Sequence, residues 1–218
     1  MTTLRKQFFL FALVTFLVLV RSVVFAQTDR DELISLYNAT GGDSWSSNSG
    51  WKDSPTSADG FNEEPCTEPV WYGVTCTGFV STLYLNDNQL TGEIPAALGN
   101  TWGLKRLNLG DNQLTGEIPA ELANLSNLEY LNLGDNQLTG EIPAELSNLT
   151  NLEQLSLGGN QLTGEIPKEL GNLTNLNDGI EGFQNGLDLG NNHLYTDSNT
   201  LREFINSKSA EPFQITIQ

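Results

Sequence analysis

Apolar side chains return along this chain in a fixed order. Leu104-x-x-Leu107-x-Leu109 is repeated at Leu128, Leu131 and Leu133 and again at Leu152, Leu155 and Leu157, each set 24 residues after the last. The alternation Leu-x-Leu is that of a short strand with every second side chain turned inward. Each strand is followed by the polar-apolar run Asn-Gln-Leu-Thr-Gly-Glu-Ile-Pro, starting at Asn88, Asn112, Asn136 and Asn160. Self-similarity at one short period predicts a solenoid, in which every unit buries its apolar edge only against its neighbours. Gly92, Gly116, Gly140 and Gly164 allow close backbone approach, while Pro95, Pro119, Pro143 and Pro167 stop extended structure and open a short helical segment such as 120–125. Each coil is therefore expected to have a sheet side and a mostly helical side. The fold class expected is an α/β solenoid, a right-handed superhelix with a parallel concave β-sheet of about five coils.

The pattern changes at both ends. Residues 29–37 alternate acids with Leu33, Ile34 and Leu36 at helical spacing, and glycines at 41 and 42 stop the run. From 43 to 75 Ser, Gly, Asn, Trp and Pro dominate, which predicts a loop-rich lid over the first coil. The division expected is an N-terminal cap at 27–79, repeats at 80–194 and a C-terminal cap at 195–218. Coils run at 80–103, 104–127, 128–151 and 152–175, and a fifth is lengthened by an insertion at 177–186. A helix at 200–205 and a strand at 213–217 are expected in the last cap.

Ahead of all this, Arg5 and Lys6 precede an apolar run from Phe8 to Val20, and Val24-Phe25-Ala26 offers the small residues a signal peptidase needs. Residues 1–26 read as a secretory leader, with an uncleaved anchor as the alternative. Its removal takes Arg5, Lys6 and Arg21 and no acid, so a net charge of −17 becomes more negative still. Such a field repels nucleic acid and anionic lipid and keeps the chain soluble. Two cysteines, Cys66 and Cys76, form an even, close pair that reads as one disulfide in a secreted chain. With a single histidine, His193, the usual tetrahedral zinc sets cannot be assembled, and no metal or other cofactor is expected.

The asparagines at 88, 112, 136, 160 and 192 follow the strands, where an inward amide can satisfy turn backbone groups; this column is expected to be structural. Outward positions give the candidate ligand face: Tyr84, Asn86 and Asp87; Lys105, Arg106, Asn108 and Asp111; Glu129, Tyr130, Asn132 and Asp135; and Glu153, Gln154 and Ser156, with Ser81 also placed outward. Tyr and Arg are frequent anchors of binding surfaces, which centres recognition between Tyr84, Arg106 and Tyr130; plain solvated positions are the alternative. Asp87, Asp111 and Asp135 form a like-charge column expected to bond turn amides, with shared calcium as the rival. Glu93, Glu117, Glu141 and Glu165 form a second, on the turn side, and predict stability that rises with salt. No nucleophile motif, phosphate loop or paired glycosidase acid stands out, so no enzyme is expected. Asn38-Ala-Thr40, Asn124-Leu-Ser126, Asn148-Leu-Thr150 and Asn172-Leu-Thr174 match the N-glycan acceptor pattern of eukaryotic secretion.

The unit LxxLxLxxNxLTGEIPxxLxxLxx resembles the plant-type leucine-rich repeat. The preceding segment is similar to the matching N-terminal cap, with Trp51 and Trp71-Tyr-Gly-Val-Thr-Cys76 where that cap carries its tryptophans and second cysteine. Receptor ectodomains, polygalacturonase inhibitors and secreted microbial proteins share this repeat. The resemblance implies a non-catalytic, secreted or cell-surface module that binds an extracellular peptide or protein, or carbohydrate, on its concave sheet. An inhibitor of polysaccharide-degrading enzymes, or an adhesive protein touching ice or mineral, are the alternatives. A Thr column at 91, 115, 139 and 163 favours ice, and the Glu two positions on in each coil opposes it.

Overall fold

The computed structural model describes residues 29–52, 57–62, 65–66, 70–177 and 186–209. The leader, most of the insertion and the strand expected at 213–217 lie outside the described residues. A helix, α1, covers 29–39. The strands in chain order are β1 (Val74–Cys76), β2 (Val80–Tyr84), β3 (Thr91–Glu93), β4 (Arg106–Asn108) and β5 (Gln113–Thr115). They continue with β6 (Tyr130–Asn132), β7 (Gln154–Ser156), β8 (Thr163–Glu165), β9 (Leu187–Asp188) and β10 (His193–Tyr195), before a helix α2 (Asn199–Lys208).

Six strands build the concave sheet in the order β1-β2-β4-β6-β7-β9. From β2 onward the pairing is parallel, with Leu83 against Leu107, Leu107 against Leu131, Leu131 against Leu155 and Leu155 against Leu187. Equivalent leucines therefore stack into continuous rows, and Leu83, Leu107, Leu131 and Leu155 are fully buried. The short helical segments opening at each proline are 3-10 turns: Ala96–Asn100, Ala120–Asn124, Ala144–Asn148 and Lys168–Asn172.

The asparagine column seals one edge of the stack. Asn136 accepts at Oδ1 from Leu114 N–H (2.9 Å) and donates through Nδ2 to the carbonyls of Leu109, Leu133 and Gly134 (3.0, 3.1 and 3.1 Å). Asn112, Asn160 and Asn192 repeat the scheme, each taking an N–H and a carbonyl from the preceding coil. Asn88 has no preceding coil; it bonds the N–H and the carbonyl of Ser47 in the cap instead (2.7 and 2.9 Å).

The convex side carries short strands beside the expected helical segments. The Thr-Gly-Glu strands β3 and β8 pair in parallel with β5 and β10 of the following coils, and a Glu117–Thr139 bridge lies between the two pairs. The glycines pass through left-handed backbone at φ of 79° to 88°, and Thr115, Thr139 and Thr163 hydroxyls donate to the glycine carbonyl one coil back. Main-chain pairing between coils makes these two-stranded ribbons.

In the cap, Tyr37, Trp45, Trp51, Phe61 and Trp71 pack ring on ring, with Trp51 and Trp71 centroids 4.6 Å apart. Buried Arg30 donates to Asp59 (2.8 Å) and the Asn62 carbonyl (3.0 Å), and Asp29 accepts from Val80 N–H (3.0 Å), fastening α1 to the start of β2. Cys66 and Cys76 form a disulfide. β1 pairs antiparallel with β2, which the loop-like composition did not announce. That hairpin corrects one placement: Ser81 is 5% exposed, its hydroxyl donating to the Thr75 carbonyl (3.1 Å), so it does not belong to the open face. At the far end Ser198 caps α2 by accepting from Leu201 N–H. No helix of the described residues is long and apolar enough to cross a membrane.

Candidate recognition face

Parallel register lines the outward side chains into columns. Thr82, Arg106, Tyr130 and Gln154 form one, and Tyr84, Asn108, Asn132, Ser156 and Asp188 the next. Asp188 was not among the expected face residues. The lengthened fifth coil hid it, although counting four back from Asn192, as Asn108 stands to Asn112, points to it. Lys105, Glu129, Glu153 and Asn177 form a third column at the strand entrance, each amide donating to the carbonyl one coil back from Glu129 onward (2.8, 2.8 and 2.9 Å).

The three candidate anchor residues do come together. The rings of Tyr84 and Tyr130 meet edge-on with centroids 6.3 Å apart, and Arg106, from the coil between them, hydrogen-bonds Tyr84. That bond, reinforced by the field of Glu129 and Glu153, holds the Arg106 proton still more firmly than usual, and burial pushes the Tyr130 phenol up. Lys105 Nζ lies 2.8 Å from Glu129 Oε1. Arg106, Glu129, Tyr130, Glu153, Gln154 and Asn177 line a depression of about 260 Å³. Chemically it offers one guanidinium, two carboxylates, amides and a phenol in a space suited to one or two ligand side chains.

Other expected face residues are engaged in the fold. Asn108 and Asn132 Oδ1 accept from Gly110 and Gly134 N–H (3.1 and 2.9 Å), and Asp188 does the same for Gly190 (2.9 Å). A Cβ on Gly110 would stand 2.5 Å from Asn132 Nδ2, so the glycine column exists to admit the clamp of the following coil. Asp87, Asp111 and Asp135 have left-handed backbone, φ 50°, 55° and 52°, as does Asn191 at 51°. Their N–H groups bond the next coil, Asp135 to the Gly158 carbonyl at 2.8 Å, and carboxylate-to-turn bonds are not among the hydrogen bonds of the described residues. Aspartate is there because Asp, Asn and Gly tolerate this conformation, which corrects the expected side-chain role. Burial, then Asp111 and Asp188, push the Asp135 carboxyl up. No group of three or more His, Cys, Asp and Glu among the described residues is arranged to hold a metal ion. Asn86, Gln154 and Ser156 stay on the open side of the sheet, whereas His193 stands in β10, paired with Thr163 on the convex side.

A family model described as leucine-rich repeat matches residues 80–138 and 103–162. Among solved structures, a plant ice-binding protein superposes with a TM-score of 0.66 at 25% identity, over 87% of this chain and 56% of its own. The ectodomain of the receptor kinase SOBIR1 from Arabidopsis thaliana gives 0.62 at 27% identity, over 86% and 89%. The ectodomain of the Arabidopsis thaliana receptor kinase GASSHO1/SCHENGEN3, solved in complex with CASPARIAN STRIP INTEGRITY FACTOR 2, gives 0.55 at 35% identity over 78% of this chain. The chain thus spans 56% of the ice-binding protein and 18% of GASSHO1/SCHENGEN3. No curated protein matches it. Sheet, asparagine ladder and family match together define a leucine-rich-repeat solenoid. Within that class, the repeat unit is of the plant type, and the chain is similar over most of its length to the plant receptor ectodomains it superposes on.

Proposed function

We propose that the protein is a non-catalytic extracellular recognition module that binds a peptide or protein on its concave sheet. The observation that carries this reading is the Tyr84–Arg106–Tyr130 cluster. It occupies positions where the fold asks only for extended backbone, and it combines the side-chain types that most often anchor interfaces. A structural neighbour solved in complex with a partner protein supports the same class of role, by analogy of fold. Secreted peptides and proteins, polysaccharide-degrading enzymes included, are to be tested for binding to the purified chain and to an Arg106→Ala, Tyr130→Ala variant. Binding lost in the variant places recognition on the strip; binding retained moves it elsewhere.

Contact with ice is the second reading, favoured by the ice-binding neighbour and the regular Thr column. Exposed Glu93, Glu117, Glu141 and Glu165 beside that column oppose it, because each coil sets a hydrated charge next to the hydroxyls. Thermal hysteresis in a solution of the purified protein would reverse the order of the two readings.

A further inference from the structure

Of the four acceptor signals, Asn38-Ala-Thr40 has its Thr40 hydroxyl buried and donating to the Leu36 carbonyl (2.7 Å), whereas the other three recur with the repeat: Asn124-Leu-Ser126, Asn148-Leu-Thr150 and Asn172-Leu-Thr174. Each asparagine ends a 3-10 turn, and both it and the hydroxyl residue two positions on are exposed. Between them the chain makes an inverse γ-turn: Ser126, Thr150 and Thr174 N–H donate to the carbonyls of Asn124, Asn148 and Asn172, each at 2.8 Å. The bend drives Leu125, Leu149 and Leu173 fully into the core and leaves the two flanking side chains outside.

A neighbouring row shows what structural duty looks like at this edge. Asn127, Asn151 and Asn175 each donate through Nδ2 to a carbonyl one coil back, those of Trp102, Ser126 and Thr150 (2.9, 2.8 and 2.8 Å). Asn124, Asn148 and Asn172 make no side-chain hydrogen bond among the described residues, so the fold uses the one row of amides and leaves these three in solvent. The first coil supplies an internal contrast. Its matching residue, Asn100, donates through Nδ2 to Glu32 Oε1 at the exposed surface (3.3 Å) and is followed by Thr101 and Trp102, with no hydroxyl at the second position.

We propose that Asn124, Asn148 and Asn172 form a row of N-glycan acceptors along one flank of the solenoid. In the transfer, Nδ2 of each carboxamide bonds to C1 of an oligosaccharide carried on a polyprenyl pyrophosphate. The C1–O bond breaks, its electron pair leaves with the lipid pyrophosphate, and an amide proton passes to a base of the transferase. The lipid-linked oligosaccharide is the co-reactant, supplied by the eukaryotic secretory pathway. Adjacent acceptors sit one coil apart, about 5 Å at strand spacing, which is narrower than a branched glycan. A sugar on Asn148 is therefore flanked on both sides and is the least trimmed of the three. Once occupied, the row walls off this flank and leaves the Tyr84–Arg106–Tyr130 strip open.

The test is to secrete the full chain from a eukaryotic cell and map sites by mass spectrometry, after enzymatic glycan release in heavy-oxygen water and on intact glycopeptides. Sugars are expected at all three asparagines and not at Asn100, with the least processed glycans on Asn148. Ser126→Ala, Thr150→Ala, Thr174→Ala changes only exposed hydroxyl residues and is expected to abolish all three while the far-ultraviolet dichroism stays unchanged. Trp102→Thr is expected to add a fourth glycan, at Asn100. Secreted, cooperatively melting protein bare at the three sites overturns the proposal, and equal trimming at all three overturns the crowded row.

Discussion

On the convex side the same five residues, Thr-Gly-Glu-Ile-Pro, recur in all four coils, whereas on the concave side one column holds Arg106, Tyr130 and Gln154. The convex positions are dictated by backbone: glycine at positive φ, threonine donating back one coil, proline opening the 3-10 turn. The concave column asks only for an extended main chain, so size and charge are free to differ. Repetition here records what the fold requires, and variation records where it leaves the side chain unconstrained.

The largest effect expected from this contrast is at the asparagine ladder. Asn136→Ala strips four bonded backbone groups of their partner and should cost about 3 kcal/mol in urea unfolding, whereas Asn108→Ala on the open face should cost about 1 kcal/mol or less. Equal losses would erase the distinction between the two positions. Next is Gly140→Ala, with φ 79° and a new Cβ 2.8 Å from Glu117 Cγ, expected to cost about 1–2 kcal/mol. Gly171→Ala meets nothing within 4 Å and should fall within about 0.5 kcal/mol of the parent. Thr101 occupies the place of Leu125, Leu149 and Leu173, fully buried with its hydroxyl unpartnered. Thr101→Val should therefore stabilise by about 1 kcal/mol, read from the denaturation midpoint.

The smallest effect concerns pH. The folded chain raises the Asp135 pKa through burial first and then Asp111 and Asp188, so it holds this proton more tightly than the unfolded chain does. Ionised Asp135 is thus a destabilising charge at neutral pH, and its cost is relieved as pH falls through the raised pKa. Asp135→Asn keeps a residue that tolerates left-handed φ, as Asn191 does. Its melting temperature should exceed the parent's at neutral pH, with the gain shrinking in mild acid; a gain that persisted unchanged would remove the electrostatic cause.

Period alone announces the stacked leucines, the 3-10 turns after each proline and the asparagine column, because each is fixed by spacing within one coil. Three features escape it for separate physical reasons. The convex strands are three residues long and pair main chain to main chain, Gly92 against Leu114 and Gly164 against Leu194, too short for an apolar alternation to mark them. The burial of Ser81 depends on β1, a strand from a stretch whose composition reads as loop. Asp188 lies beyond an insertion that shifts the count. Within the candidate face, a sequence column cannot distinguish Arg106, which bonds the Tyr84 side chain one coil back, from Asn132, which clamps its own turn, since both point outward.

Asn88 bonds Ser47 with the same two groups, an N–H and a carbonyl, that each later asparagine takes from the coil behind it. The cap therefore ends in a socket indistinguishable, to the next unit, from another repeat. A 24-residue unit added or removed between Asn112 and Asn160 leaves both terminal joints as they were. Gene duplication can then change the length of this molecule, and with it the span of surface it offers, without inventing a new end.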